Sequence, residues 1–187
     1  MEATSVRVGV LGCGNVGAAL VALVDEQRDA VADRTGLALE VAAIAVRDTS
    51  VDRGVPCSPD AFTTDAAAVV NDPSIDVVIE VMGGLEPARQ LILDALASGK
   101  PVVTANKELL AAHGEELYLA AAAAGVDLLF EAAVAGAIPI MRPLRESLAG
   151  EPLTRIMGIV NGTTNFILSR MSDHGATYAD ALSEAQD

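Results

Sequence analysis

One junction limits what this chain can fold into more than any other feature. Residues 6–11, Val-Arg-Val-Gly-Val-Leu, form a short β-branched run. It leads straight into Gly12-Cys-Gly-Asn-Val-Gly17, and an alanine- and leucine-rich stretch follows at once. A Gly-x-Gly-x-x-Gly turn between a strand and a helix has a specific physical use. The first glycine permits a tight turn, the second lets a diphosphate approach the backbone, and the third lets the helix pack closely on the strand. Free N–H groups at the helix start then favour an anion. The spacing predicts that Gly12, Gly14, Asn15, Val16 and Gly17 cradle the pyrophosphate of a dinucleotide. A glycine-rich turn with only a packing role is the plainer alternative. Cys13 reads as a small residue tolerated inside the turn, although a helix N-terminus can lower a thiol's pKa.

The pattern after the junction keeps alternating. Helical spacing of Leu20, Leu23, Val24 and Val31 predicts a helix over 18–32, and a second strand is predicted over 39–46. Ser58-Pro-Asp60 opens a predicted short helix over 61–70. An Asn-Asp-Pro turn precedes a strand over 75–82. A helix over 87–98 has proline near its first turn and Gly99 just past its end. A strand over 102–104, a helix over 108–124 and a strand over 126–130 follow. Strands that are apolar throughout and alternate with helices indicate a parallel sheet covered on both faces. The character changes near residue 132. Small apolar residues lead to a helix from Pro139 through 148, a strand over 154–160, and helices over 166–171 and 178–186. The expected architecture is α/β: a doubly wound parallel sheet over 1–133, then the beginning of an α+β domain over 134–187. The last helix runs off the end without a cap, so the second domain is expected to be cut short.

Charge and composition exclude several function classes. The chain has 26 acidic and 12 basic residues, a net charge of -14. A nucleic-acid partner would need a cationic surface, and so would docking on an anionic membrane; neither is expected. Two cysteines cannot build a disulfide framework or a four-cysteine metal site. No apolar run approaches the ~20 residues needed to span a bilayer. The N-terminus lacks the basic start and long apolar stretch of a secretory signal, so the chain reads as cytoplasmic.

Several side chains are placed to do chemistry. In a dinucleotide fold the second strand ends beside the adenine ribose, where an acidic residue suits NAD and an arginine suits a 2′-phosphate. Arg47 is the first residue after the 39–46 strand and favours NADP, while Asp48 leaves room for NAD; an exposed Arg47–Asp48 ion pair is the bland reading. Ten of the basic residues are arginines, and the only lysines are Lys100 and Lys107. Lys100 precedes the strand over 102–104 and reads as solvated, on the face away from the cofactor. Lys107 follows that strand, at the end where open α/β sheets bind ligands. There it can hold a substrate oxygen or relay a proton. Glu80 ends the preceding strand, either near the nicotinamide or as a hydrogen-bonded structural group. Gly83 and Gly84 signal close backbone approach to a ligand.

Taken together, five segments resemble the homoserine dehydrogenase family: Val10-Leu-Gly-Cys-Gly-Asn-Val-Gly17, Glu80-Val-Met-Gly-Gly84, Thr104-Ala-Asn-Lys107, Glu131-Ala-Ala-Val-Ala-Gly-Ala-Ile-Pro139 and Gly158-Ile-Val-Asn-Gly-Thr-Thr-Asn-Phe166. The first is shared by many dehydrogenases; the last three are specific. The resemblance implies a Rossmann-type domain, then a substrate and dimerisation domain, in an enzyme that interconverts homoserine and aspartate semialdehyde with NAD(P). It implies a homodimer and a role in threonine, methionine and isoleucine biosynthesis. On the cofactor side it points to Asn15, Val16, Arg47, Met82, Gly83, Thr104 and Lys107. On the substrate side it points to Lys107 and Thr163. It also implies a sodium ion held mainly by backbone oxygens at Glu131, Val134, Gly136 and Ile138, a segment that otherwise reads as a domain hinge. The family's second lysine, the usual proton donor, and its substrate-binding carboxylates are expected beyond residue 187. A non-catalytic cofactor-binding module and a sugar-type oxidoreductase are the competing readings.

Overall fold

The computed structural model describes residues 3–136, 138–159 and 162–186. By contact the chain divides into two compact units, Met1–Pro143 and Leu144–Asp187.

The first unit is a six-stranded, wholly parallel sheet. Its strands are β1 (Thr4–Leu11), β2 (Leu37–Ala45), β3 (Phe62–Thr63), β4 (Val77–Glu80), β5 (Val102–Thr104) and β6 (Leu128–Leu129). They lie in the order β3-β2-β1-β4-β5-β6. Helices α1 (Asn15–Glu26), α2 (Arg28–Thr35), α3 (Ala66–Asn71), α4 (Ala88–Ala97) and α5 (Lys107–Ala124) supply the crossovers. Successive strand residues point to opposite faces, so two cores form. Val8, Val10 and Ile44 pack with Val21 of α1, while Leu11, Ala45 and Val78 pack with Ile92, Leu96, Leu109 and Leu117 of α4 and α5. Burial of this kind stabilises by roughly 1.5–3 kcal/mol per large aliphatic side chain.

Three expectations for this unit need correction. The helix over 18–32 is two helices, broken at Gln27 (φ −96°, ψ 8°). Val31, the last member of the apolar stripe, is only half-buried, and α2 buries no residue, so little packing holds the two helices on one axis. The helix over 61–70 begins later. Ser58 caps only a single 3₁₀ turn, Pro59–Ala61; Phe62 and Thr63 then pair with Ile44 and Ala45 at the sheet edge. The cap of α3 is Asp65, whose carboxylate accepts from the Ala68 N–H at 2.9 Å. Lys100 is buried, at 7% exposure, rather than solvated. Its backbone N–H closes the end of α4 on the Ala95 carbonyl, and its cation stands near enough to Asp72 to help lower that carboxyl.

The second unit holds α6 (Gly162–His174) and α7 (Tyr178–Gln186). Arg170 of α6 bonds Glu184 of α7 through Nε at 2.8 Å, and Thr177 caps α7 by accepting from the Asp180 N–H at 3.2 Å. The expected helix over 139–148 forms over residues 141–147, where two α-helical residues lead into a π-helical stretch, Pro143–Ser147. The expected strand over 154–160 does not form across the described residues 154–159, and Val160 lies outside them. A strand needs a neighbour for its N–H and C=O groups, and among the described residues of this unit there is none. Ile156, Met157 and Ile159 are correspondingly exposed.

Candidate functional site

Strand register brings the site together. Leu11 lies opposite Glu80, and Glu80 opposite Thr104, so the C-terminal ends of β1, β4 and β5 stand in one row. The connections that leave them, residues 12–14, 81–84 and 105–107, emerge at the same edge. Strand order reverses at β1, which is where open α/β sheets form their ligand crevice.

The three glycines of the first connection and the first turn of α1 do three different things. Gly12 has φ +98°, and a Cβ there would stand 2.8 Å from the Met82 Cα, so only glycine lets the first and second connections touch. A Cβ on Gly17 would stand 2.3 Å from the Gly12 carbonyl oxygen, which shows how closely α1 rests on the turn. Gly14 is exposed, and a Cβ there would meet nothing within 4 Å. It precedes α1, which starts without a side-chain cap. Open space beside an uncapped helix start fits an approaching pyrophosphate, since a side-chain cap would compete for the same N–H groups. Asn15 and Val16 are exposed on this first turn. Burial pushes the Cys13 thiol up, an effect that the nearby Arg53 cation only partly offsets, so the plain packing role holds for it.

Arg47 is exposed two residues beyond the end of β2. Asp48 spends its carboxylate on Ser50, accepting from its N–H at 2.9 Å and its hydroxyl at 2.7 Å, rather than on Arg47. Those two bonds hold the Asp48 carboxyl below its ordinary range. The sequence drew no attention to Arg53. Its Nε donates to the Cys13 carbonyl at 3.2 Å, its Nη1 to Val51 at 2.7 Å and its Nη2 to Asp48 at 2.9 Å.

Glu80 is completely buried and is the hydrogen-bonded structural group. Its Oε1 accepts from the Met82 and Gly83 N–H groups at 2.9 and 3.1 Å and from Asn106 Nδ2 at 3.5 Å. Its Oε2 accepts from the Thr104 hydroxyl at 2.6 Å. The Thr104 oxygen in turn accepts from the Asn106 N–H at 3.1 Å. Asn106 donates to the Gly84 carbonyl at 2.7 Å and caps α5 by accepting from the Leu109 N–H at 3.1 Å. This network fixes the Met82–Gly83 turn and the start of α5 relative to each other. Thr104 therefore faces inward, with its hydroxyl committed. The cap role of Asn106 was legible in principle: an asparagine three residues before Leu109, at the head of a helix, is a standard cap position.

Lys107 is the exposed first residue of α5. It lines a mainly apolar groove of about 570 Å³ with Leu110, Phe130, Ala133, Val134 and Met141. The segment expected to hold a cation thus borders the same groove as Lys107. Glu131 opens a 3₁₀ turn, and its carboxylate accepts from the Met141 and Arg142 N–H groups, each at 2.9 Å. Burial pushes the Glu131 carboxyl up, but those backbone donors outweigh it and leave its pKa lowered. Ala135 and Gly136 are left-handed, at φ 56° and 64°, and the Ile138 N–H donates to the Ala135 carbonyl at 3.3 Å. Among the described residues no three His, Cys, Asp or Glu side chains gather as a metal site. Backbone oxygens of this turn are the donor type a hard cation accepts. Thr163 is the second residue of α6, in the other unit. Ala137, Val160 and Asn161, from two of the resembling segments, lie outside the described residues. No helix among the described residues is long and apolar enough to cross a membrane.

Comparison with known proteins agrees with this fold. The family described as "Homoserine dehydrogenase, NAD binding domain" matches residues 12–131, and "Homoserine dehydrogenase" matches 139–187. The homoserine dehydrogenase of Corynebacterium glutamicum is 54% identical over 183 residues, which cover 97% of this chain and 41% of that protein. The crystal structure of a homoserine dehydrogenase from Thiobacillus denitrificans superimposes with a TM-score of 0.80 at 45% identity, over 100% of this chain and 43% of that one. A hyperthermophilic archaeal homoserine dehydrogenase in complex with NADPH gives a TM-score of 0.77 at 28% identity, over 98% of this chain and 61% of that one. The chain thus spans about two fifths of the length of the curated relatives it matches.

Proposed function

This chain belongs to the homoserine dehydrogenase family, and on that premise we propose that it works in the NAD(P)-dependent interconversion of L-homoserine and L-aspartate 4-semialdehyde, with NADP as the preferred cofactor. The observation that carries the reading is the row of three strand ends, with an open, uncapped glycine turn at one and Lys107 at another. A nicotinamide ring bound there supplies or accepts the hydride. The backbone of residues 12–17 receives the pyrophosphate, and Gly14 leaves it room. Arg47, exposed beyond β2, provides the charge that a 2′-phosphate needs. The Glu80 network holds Met82 and Gly83 against the glycine turn, as a floor for the nicotinamide end. Lys107 donates a hydrogen bond to the substrate oxygen and so stabilises the charge that develops on it during reduction. By the family resemblance alone, Thr163 is proposed as a second substrate-binding residue. The carbonyls of Glu131, Val134, Gly136 and Ile138 are the proposed sodium ligands, with the Glu131 carboxylate holding the loop shape. A cytoplasmic homodimer that serves threonine, methionine and isoleucine biosynthesis completes the reading.

The test is NADP reduction on addition of L-homoserine, followed by absorbance of the reduced nicotinamide, with this sequence carried on to the length of its relatives so that the second lysine and the substrate carboxylates expected beyond residue 187 are present. Homoserine-dependent reduction that Lys107→Ala lowers at least ~100-fold is expected for loss of a group acting in the transition state. Tight cofactor binding with no homoserine-dependent turnover would favour a non-catalytic module.

A further inference from the structure

We propose that Arg53 is a positioning residue for cofactor selection, which ties the segment bearing Arg47 to the glycine turn; this rests on the dinucleotide reading above. Arg53 lies in the connection between β2 and β3, forty residues from Cys13 in sequence. Its guanidinium nevertheless donates to carbonyls on both segments. Nε reaches Cys13 at 3.2 Å, inside the glycine turn, while Nη1 and Nη2 reach Val51 and Asp48 at 2.7 and 2.9 Å. Its flat face lies over the Phe62 ring, 5.7 Å from guanidinium carbon to centroid, at the start of β3. Three carbonyls and one ring around a half-buried cation use the planar fork of arginine, which a lysine ammonium cannot reproduce.

The consequence concerns Arg47. It is bonded to neither Asp48 nor Ser50 in the turn that follows it, so its own loop does not fix its side chain. Its position relative to the pyrophosphate site is set by where residue 48 is held, and Arg53 holds residue 48 against the glycine turn. The positive charge also stands beside the carbonyl of Cys13, next to the uncapped start of α1, where an anion must arrive. Arg53 thus acts on cofactor choice through Arg47 without needing to touch the 2′-phosphate.

The test is titration of wild type, Arg53→Lys and Arg53→Gln with NADPH and with NADH, by nicotinamide fluorescence, alongside circular dichroism at the same temperature. Expected is a fall of about tenfold in the NADPH-over-NADH preference for both variants, comparable to loss of one charge-assisted contact. Arg53→Lys, which keeps the charge, should not rescue it. A folded variant that keeps the wild-type preference overturns the proposal, whatever its melting temperature. So does a wild type that binds both cofactors alike. A wild type that binds neither fails the dinucleotide reading itself, which separates the two failures. If neither variant folds, Phe62→Leu removes the ring while leaving the three carbonyl bonds. It should reduce the preference in part, and an unchanged preference there overturns the proposal.

Discussion

Substituting the two glycines that flank the start of α1 should have opposite consequences. In Gly17→Ala the new methyl would stand 2.3 Å from the Gly12 carbonyl oxygen, against ordinary contact at 3.4 Å or more, so α1 and the turn must separate by about 1 Å. Overpacking of this kind costs about 1–3 kcal/mol. Alanine regains about 1 kcal/mol of helix propensity over glycine, and a 2.3 Å approach to a main-chain oxygen puts the overpacking cost at about 2–3 kcal/mol, so the clash wins by roughly 1–2 kcal/mol. For a chain of this size that lowers the melting temperature by about 2–8 °C. Because the displaced atoms form the cradle, NADPH binding should weaken as well. Gly14→Val meets nothing within 4 Å, and the local backbone is extended at φ −81°, ψ −156°, a region a β-branched residue adopts readily. The apo melting temperature should therefore stay within about 2 °C of wild type, while cofactor binding is lost because the side chain fills the path of the pyrophosphate. The assays are thermal melts by circular dichroism without cofactor, and NADPH titration. A Gly17→Ala protein with wild-type melting, or a Gly14→Val protein with wild-type affinity, would refute the reasoning.

Arg47→Ala should weaken NADPH roughly ten- to a hundredfold, the equivalent of about 1.5–3 kcal/mol, and leave NADH nearly unchanged; equal losses in the two titrations contradict the assignment. Glu80→Gln places an amide NH₂ among four groups that all donate to this side chain. One donor is left facing another, at a cost of about 1–3 kcal/mol, read as a lower denaturation midpoint; unchanged stability would show that the network can reverse itself. The Glu131 carboxyl is lowered from 4.5, so its charged form stabilises the folded state above that value and the contribution is lost as pH falls through the lower folded value. The stability gap between wild type and Glu131→Gln should be constant above pH 4.5 and narrow below it; a gap that stays flat in acid contradicts the role given to Met141 and Arg142.

Much of this could be read from sequence, because local rules and global packing agree in the first unit. The β-branched runs became strands β1, β2, β4 and β5 within two residues at their ends, and Gly99 lies just past its helix as expected. Where reading failed, a competing local signal was at work. Ser58-Pro-Asp60 is a good cap, but Phe62 and Thr63 gain more by pairing with β2, and Asp65 offers a second cap. Residues 154–159 have strand composition, but composition cannot provide the neighbour a strand requires. Arg53 was invisible for another reason. Its partners are main-chain carbonyls of residues 13, 48 and 51, and sequence spacing carries no information about a contact between Arg53 and Cys13. Glu80 was left open between two roles, and only the register opposite Thr104 decides between them.

The central claim is that the glycine turn and the strand ends beside it form a nicotinamide dinucleotide site. Fluorescence titration of the purified protein with NADPH, with Gly14→Val as the control, tests it most directly. The account predicts saturable binding of one NADPH per chain, tighter than NADH, and none in the variant despite a native melt. A folded protein that shows no saturable NADPH signal, or a variant that binds as well as wild type, would contradict it.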